Sequence, residues 1–531
     1  MLETLSAAEL AELPPKVRKA FMAQTARIEA LEAGQTQHVQ LEQRVGELEV
    51  VNARLEYLVA EFRKLLFAKR SEKLDADQRE LAFEDLEIAR AEAETASEAA
   101  RPDTLRPARK RNLGRLPEHL ERVEEVIEPE STLCPCGCGT MVCIGEDRSE
   151  RLDVVPARLR VIVTVRPKYA CRRCERGVVQ ALAPARLIEG ALPTEALLAQ
   201  VLVGKFCDHL PLYRQAQGFA RAGIDIDRST LADWIGKAAF HLRPLADRLS
   251  DHLKASSHLF MDETTLPVLD PGRGKTKTGY LWTLTRDERG FGGTGPPGVV
   301  YVYAPGRGGQ HAENILEGFT GTLSVDGYAG YNRLAKNTRC GGPVRLAHCW
   351  AHARRKLEEI YDHDGSPIAK AGLDRIARFY AIETEIRGAS CENRLAIRQE
   401  RAAPLVTEFF EWLAIQRARI SKRSRLGEKL SYIERLRPGL MVYLDDGRVG
   451  IDNNPVENRI RPIALGRKNA LFAGHDEGAR SWATIASLIE TCKLNDVEPF
   501  VWLKTTLEAI ARGHPMSRLD DLLPGAFACA N

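Results

Sequence analysis

The chain has 531 residues and a hydrophobic fraction of 44%, enough for several domains with cores of their own. Its formal net charge is only +3, so the overall balance does not announce a nucleic-acid partner, and no run of about 18 apolar residues marks a membrane span. No charged-then-apolar signal segment opens the chain; a cytoplasmic location is expected, and twelve cysteines then favour metal binding or plain burial over a disulfide framework.

Residues 1–94 read as helix. From Leu41 the apolar spacing runs Leu41, Val45, Leu48, Asn52, Leu55, Val59, Phe62 and Leu66, in alternating steps of four and three. That is a heptad seam with Asn52 at an a position, so a coiled coil and a homodimer or higher oligomer are expected. Residues 95–118, rich in Ala, Glu, Pro and Arg, read as a linker. A cysteine module follows over 119–190. Its first cluster is Cys134, Cys136, Cys138 and Cys143, its second is 171-CRRC-174, and 157-ARLRVIVTVRPKYAC-171 alternates like a strand between them. Two thiol pairs joined by a hairpin make one tetrahedral, structural zinc site. Cys171 and Cys174 form one half; Cys134 with Cys136 or Cys138 forms the other. Reduced cysteines without metal are the alternative.

Residues 191–252 are helical. The piece 212-LYRQAQGFARAGIDIDRSTLADWIGKA-238 reads as a helix, a Gly-containing turn and a second helix capped by Ser229 or Thr230. That is a helix-turn-helix pattern for DNA binding, and an ordinary helical hairpin fits it nearly as well. Over 253–350 the texture changes to strands: 258-HLFMDETTLPVL-269, 280-YLWTLTRD-287, 299-VVYVYA-304, a helical 311-HAENILEGF-319, then 321-GTLSVDGYAGY-331 and 344-VRLAHCW-350. Three strands, a helix and two more strands is the order of a ribonuclease-H-like core. Residues 351–448 read as a helical insertion, 449–490 as the last part of the core and 491–531 as a C-terminal helical segment. The fold class expected is multidomain α+β.

Aspartate is depleted in strands, yet Asp262 and Asp326 both sit in strand-like runs. In a ribonuclease-H-like sheet the first and fourth strands are neighbours, so the two carboxylates converge. A third comes from a later helix, and Glu457 in 450-GIDNNPVENRIRPIALGRKNALFAG-474 is the natural candidate. The same Glu457 also reads as a capping-box residue at N3, with Asn454 as N-cap and Pro455 at the first helical position. Asp445, Asp446 and Asp452 rank behind it because their stretch is turn-like. Glu263 neighbours Asp262 but points to the opposite face of its strand. Three clustered carboxylates suit Mg²⁺ (or Mn²⁺), and two such ions about 4 Å apart promote an in-line phosphoryl displacement. Beyond Glu457, Arg459, Arg461, Arg467 and Lys468 are placed to meet a phosphate backbone.

With these residues in hand, the sequence resembles the insertion sequence 66 family of DDE transposases. The carriers are 67-FAKRSEKL-74, the cysteine module, 262-DETTLPVL-269, 324-SVDGYAGYNRL-334, 348-HCWAHARRKL-357 and 452-DNNPVENRIRPIALGRKNALFAG-474. The resemblance implies that Asp262, Asp326 and Glu457 are the DDE triad. It implies that Cys349 and His352 match a C-x-x-H signature; a single Cys–His pair lacks enough ligands for zinc, so these two read as supports of the core. The family's first zinc half is C-x-x-C, and 134-CPCGC-138 departs from it. The activity implied is cleavage at the terminal inverted repeats and strand transfer into target DNA. Two small accessory proteins of the same element and a nucleoid association in a bacterial cytoplasm are implied too. A non-catalytic DNA-binding regulator and a ribonuclease-H-like nuclease are the competing readings.

Overall fold

The computed structural model describes residues 159–170, 178–270 and 272–530. The expected coiled coil with Asn52, the linker, and Cys134, Cys136, Cys138, Cys143, Cys171 and Cys174 lie outside the described residues. A short hairpin comes first, β1 (Lys168–Ala170) antiparallel to β2 (Val178–Gln180). Of the strand-like alternation over 157–171, only Lys168–Ala170 forms a strand among the described residues. Three helices follow: α1 (Glu195–Phe206), α2 (Leu212–Arg221) and α3 (Arg228–Lys254). The N-cap of α3 is Asp227, not Ser229 or Thr230; its carboxylate accepts the Ser229 N–H at 2.7 Å. A carboxylate is the stronger acceptor for a helix's positive end, which explains the choice. Leu231, Trp234, Leu242 and Leu249 line the buried side of α3, so this long helix shares one apolar core with the sheet.

The sheet has five strands: β3 (His258–Asp270), β4 (Lys275–Arg286), β5 (Gly298–Ala304), β6 (Thr322–Val325) and β7 (Arg345–His348). Helix α4 (Gly309–Ile315) lies between β5 and β6 in sequence. The spatial order is β5-β4-β3-β6-β7. The pairs β3–β4 and β4–β5 are antiparallel, whereas β3–β6 and β6–β7 are parallel. The first and fourth strands of the sheet are therefore neighbours, as the element order predicts.

Helices α5 (Trp350–Asp364), α6 (Pro367–Glu385), α7 (Cys391–Ile397), α8 (Ala403–Arg419), α9 (Arg425–Leu440) and α10 (Val442–Asp445) form a helical subdomain with its own core. Trp350 is its hub: fully buried, edge-on to Phe379 and Phe409, its indole N–H on Leu440 O at 2.8 Å. Arg398 is also fully buried. It forms a two-pronged pair with Glu383, 2.7 Å on each side, and donates to the carbonyls of Tyr443, Asp446 and Val449. The segment it grips leads into α11 (Asn454–Ala470).

After α11 the chain reverses at Leu471, whose φ of 62° is left-handed, and Ala473 bridges to Pro267 and Leu269 of β3. Helix α12 (Asp476–Leu494) then covers the edge strand β5. Its Ser487 accepts the Tyr301 N–H and its Thr491 both accepts and donates at Val299. Hydroxyls one helical turn apart thus satisfy an edge that would otherwise be open to pairing. Helices α13 (Pro499–Ala511) and α14 (Pro524–Ala530) complete the chain. Among the described residues no helix is long and apolar enough to cross a membrane.

His258 at the start of β3 carries a pH dependence. It is buried against Ser324 Oγ at 2.9 Å, and burial pushes its pKa down to about 4, with Asp446 opposing. The unfolded chain protonates this group first as pH falls. Stability from it is complete above about pH 6.5 and is lost as pH falls toward 4, by on the order of 3 kcal/mol. Urea denaturation between pH 7 and pH 4.5 should show this loss, and His258→Asn should flatten it.

Candidate active site

Asp262 is the fifth residue of β3, and Asp326 follows the last residue of β6. In the parallel ladder His258 faces Thr322 and Phe260 faces Ser324. Two residues further on, Asp262 stands level with Asp326 on the same face. Both are half-buried. Burial, then the charges of Asp326, Glu263 and Glu457, push the Asp262 carboxyl well above the ordinary range. Burial raises Asp326 as well, opposed by the Tyr328 N–H and by Arg307 and His348. That N–H donates to Asp326 Oδ1 at 2.8 Å. Asp262 Oδ1 accepts the Glu263 N–H at 2.9 Å.

Glu457 lies in the first turn of α11, and the start of that helix corrects the capping-box reading. The helix begins at Asn454 with Asn453 as N-cap, so Glu457 is its fourth residue, and the Asn453 side chain makes no cap bond. Asp452 holds the end instead, accepting the Asn454 N–H at 3.2 Å and its amide at 2.9 Å. Asn453 is fully buried: its backbone N–H donates to Cys349 Sγ at 3.2 Å and its amide to Met261 O at 3.4 Å. The helix start is thereby tied to the residue before Asp262. Asp445 pairs with Arg345 and Asp446 with Arg448, each elsewhere. The charge of Glu457 is among those that raise the Asp262 carboxyl.

The three carboxylates are near one another without forming a tight cluster. Among the described residues the close trio of donors is Cys349, His352 and Glu457, with ligand atoms all within 4.8 Å of one another. His352 Nδ1 stands 3.7 Å from Glu457 Oε1. Cys349 is buried at the end of β7 and His352 follows in the first turn of α5. Burial, with Arg355 and Lys356 nearby, lowers the imidazole to about 3 and keeps it neutral.

Two features escape a reading by sequence. Glu263 does point away from Asp262, but into a buried ion pair: Arg307 Nε donates to its Oε1 at 2.6 Å and the Tyr331 hydroxyl donates to its Oε2. Arg307 also lies over the Tyr328 ring at 4.3 Å, and its carbonyl accepts the Tyr328 hydroxyl at 2.8 Å. One network thus braces the neighbours of both aspartates. The second feature is Arg467, which is not a surface cation. It is buried, and its guanidinium donates to Thr264 Oγ1 at 3.1 Å, to Thr265 Oγ1 at 2.9 Å and to Thr265 O. It pins α11 along β3, so the expectation that it meets phosphate is corrected. Arg459 and Arg461 are half-buried and Lys468 is exposed. Arg467→Met should lower stability by about 2–3 kcal/mol, because a buried charged donor and its hydroxyl and carbonyl partners are separated. Chemical denaturation tests this.

A family model described as the Transposase IS66 family matches residues 190–481. Related models match elsewhere: the zinc-finger binding domain of transposase IS66 over 131–175, the IS66 C-terminal element over 487–524, and one described as transposase C of IS166 homeodomain over 54–124. Two uncharacterized proteins of Sinorhizobium fredii (strain NBRC 101917 / NGR234) are similar along most of their length. The one called y4qI is 44% identical over 467 residues, covering 86% of each chain. The one called y4jD is 42% identical over 499 residues, covering 92% of this chain and 97% of its own. These matches define a transposase carrying a zinc-finger domain. The chain belongs to the IS66 family.

Proposed function

We propose that the chain is a DDE transposase with a ribonuclease-H-like core that cuts DNA at transposon ends and joins them to target DNA. The observation that carries this reading is the pairing of β3 parallel to β6, which sets Asp262 level with Asp326 just beyond the end of β6, with the charge of Glu457 acting on Asp262. Asp262, Asp326 and Glu457 are the residues that would hold Mg²⁺ or Mn²⁺, two ions per site. The donors fit: all are carboxylate oxygens, and burial with mutual repulsion makes the aspartates costly as anions unless a cation joins them. When bound, the ions activate the attacking oxygen and stabilise the leaving oxygen of an in-line displacement.

The chain's own residues do the rest. The Asn453 tie holds Glu457 beside the aspartates, and Tyr328 fixes one oxygen of Asp326. Arg459, Arg461 and Lys468 are proposed to meet the phosphate backbone leading to the site. The zinc is proposed to be held by Cys171, Cys174 and two of Cys134, Cys136 and Cys138. The zinc-finger domain and the helices α2 and α3 would recognise the inverted repeats, and the heptad seam would pair two protomers. Accessory proteins of the element would assist.

The test uses the purified chain, Mg²⁺ and a duplex ending in the inverted repeat that flanks its gene. The expected result is a cut at the repeat end and joining of the freed 3′ hydroxyl to a second duplex. Cutting without joining would favour a nuclease, and binding without metal-dependent cutting would favour a regulator.

A further inference from the structure

We propose that Cys349, His352 and Glu457 form a binding site for a thiophilic divalent cation, with zinc the fitting member, and that this ion competes with Asp262 and Asp326 for Glu457. The backbone builds the site from three directions. Cys349 follows β7 as the N-cap of α5, His352 lies three residues later in the first turn of that helix, and Glu457 comes from the first turn of α11. Their ligand atoms all lie within 4.8 Å of one another, and the imidazole-to-carboxylate distance is 3.7 Å. Zinc bonds to N, O and S ligands place tetrahedral donors roughly 3.3–3.6 Å apart, so closure needs donor separations to shorten by up to about 1.5 Å, a change shared between the two side chains of each pair.

Two independent observations point to a ligand. His352 Nδ1 is buried and has no hydrogen-bond partner among the described residues, an arrangement that folded proteins rarely leave unanswered. The Asn453 N–H donates to Cys349 Sγ, the kind of outer support that orients a thiolate ligand. The donor set decides the metal. A thiol and an imidazole beside one carboxylate select zinc, whereas the all-oxygen set around Asp262 selects a hard cation. Three protein ligands leave a fourth position for water. Glu457 is common to both sets, because its charge acts on Asp262 while its Oε1 faces His352. An ion held by Cys349 and His352 would therefore withdraw a ligand from the acidic site.

The experiment equilibrates the full chain with buffered zinc and measures bound metal per chain. The wild type should hold one more zinc than Cys349→Ser and one more than His352→Asn, while all three keep the zinc of the zinc-finger domain; a cooperative urea transition in each variant reports that the core is folded. Cobalt in place of zinc should give a thiolate charge-transfer difference between wild type and Cys349→Ser. Glu457→Gln should bind the second zinc about tenfold more weakly. Equal zinc content in wild type and both variants would overturn the site. In the nicking reaction, zinc should raise the Mg²⁺ concentration needed by the wild type and leave that of Cys349→Ser unmoved by zinc; an unchanged Mg²⁺ requirement in the wild type would overturn the competition. The metal count needs no DNA cleavage, so it stands or falls apart from the transposase reading.

Discussion

Asp262→Asn is expected to abolish metal-dependent nicking while making the metal-free protein more stable to heat. The two effects share one cause. Asp262 is half-buried, level with Asp326, and carries the added repulsion of Glu263 and Glu457. Its raised carboxyl marks a group that opposes folding when ionised. The sign follows from linkage: between the unfolded and folded values the native state binds the extra proton, so this group's contribution worsens as pH rises through that window. Asparagine keeps the volume and removes the charge. The melting temperature at pH 7 without divalent ions should rise, and Mg²⁺ should stabilise the wild type more than the variant. Nicking should fall by about 10³-fold, the scale on which removal of one preorganised charge-stabilising group acts. Gel-shift binding to the repeat end should persist. A variant that is less stable and still nicks would place the cluster outside the chemistry.

The largest loss of stability is expected from Arg398→Met. Arg398 has no exposure, pairs with Glu383 at 2.7 Å on both prongs, and satisfies three carbonyls between Tyr443 and Val449. Methionine fills much of the space, leaves three carbonyl acceptors unanswered, and leaves the Glu383 carboxylate with only its longer 3.5 Å pair to Arg394. The cost should be about 3–5 kcal/mol, that of breaking a buried ion pair from one side. Because the gripped segment runs into Asn453 and Glu457, nicking should fall further than the folded fraction does. Replacing Arg398 and Glu383 together with apolar residues should recover part of the stability, since the stranded charge is gone. Equilibrium denaturation of the single and double variants measures this coupling.

The strand bearing Asp262 and the strand that ends just before Asp326 are legible because short β-rich runs are bounded by Gly and Pro turns and each run carries one aspartate out of place. The order of elements then sets which strands are neighbours. The helix of Glu457 is legible from Pro455 and the Asn pair, but two adjacent asparagines leave its start open by one residue, and that residue decides whether a capping box exists. Arg467 misleads because it sits in a basic run; yet it falls one turn after Ile463, on the buried side of the helix, and that spacing could have placed it inside. Arg398 and Arg307 leave no such trace. In a segment rich in Arg and Glu a buried guanidinium looks like any solvated one until its partners are brought to it by the fold; the carbonyl acceptors of Arg398 lie 45 or more residues away. The Cys349–His352 pair is visible as a spacing, but its third donor is more than a hundred residues on and meets it only in three dimensions.

The role proposed for Glu457 is to complete the acidic site with Asp262 and Asp326. Its most direct test compares wild type, Glu457→Gln and Asp452→Asn in one assay, at low buffered zinc, scoring repeat-end binding and Mg²⁺-dependent nicking in the same samples. If Glu457 has that role, Glu457→Gln binds DNA as the wild type does and does not nick, whereas Asp452→Asn loses stability at the helix start and still nicks. Near-wild-type nicking by Glu457→Gln, with nicking lost in Asp452→Asn, would contradict it.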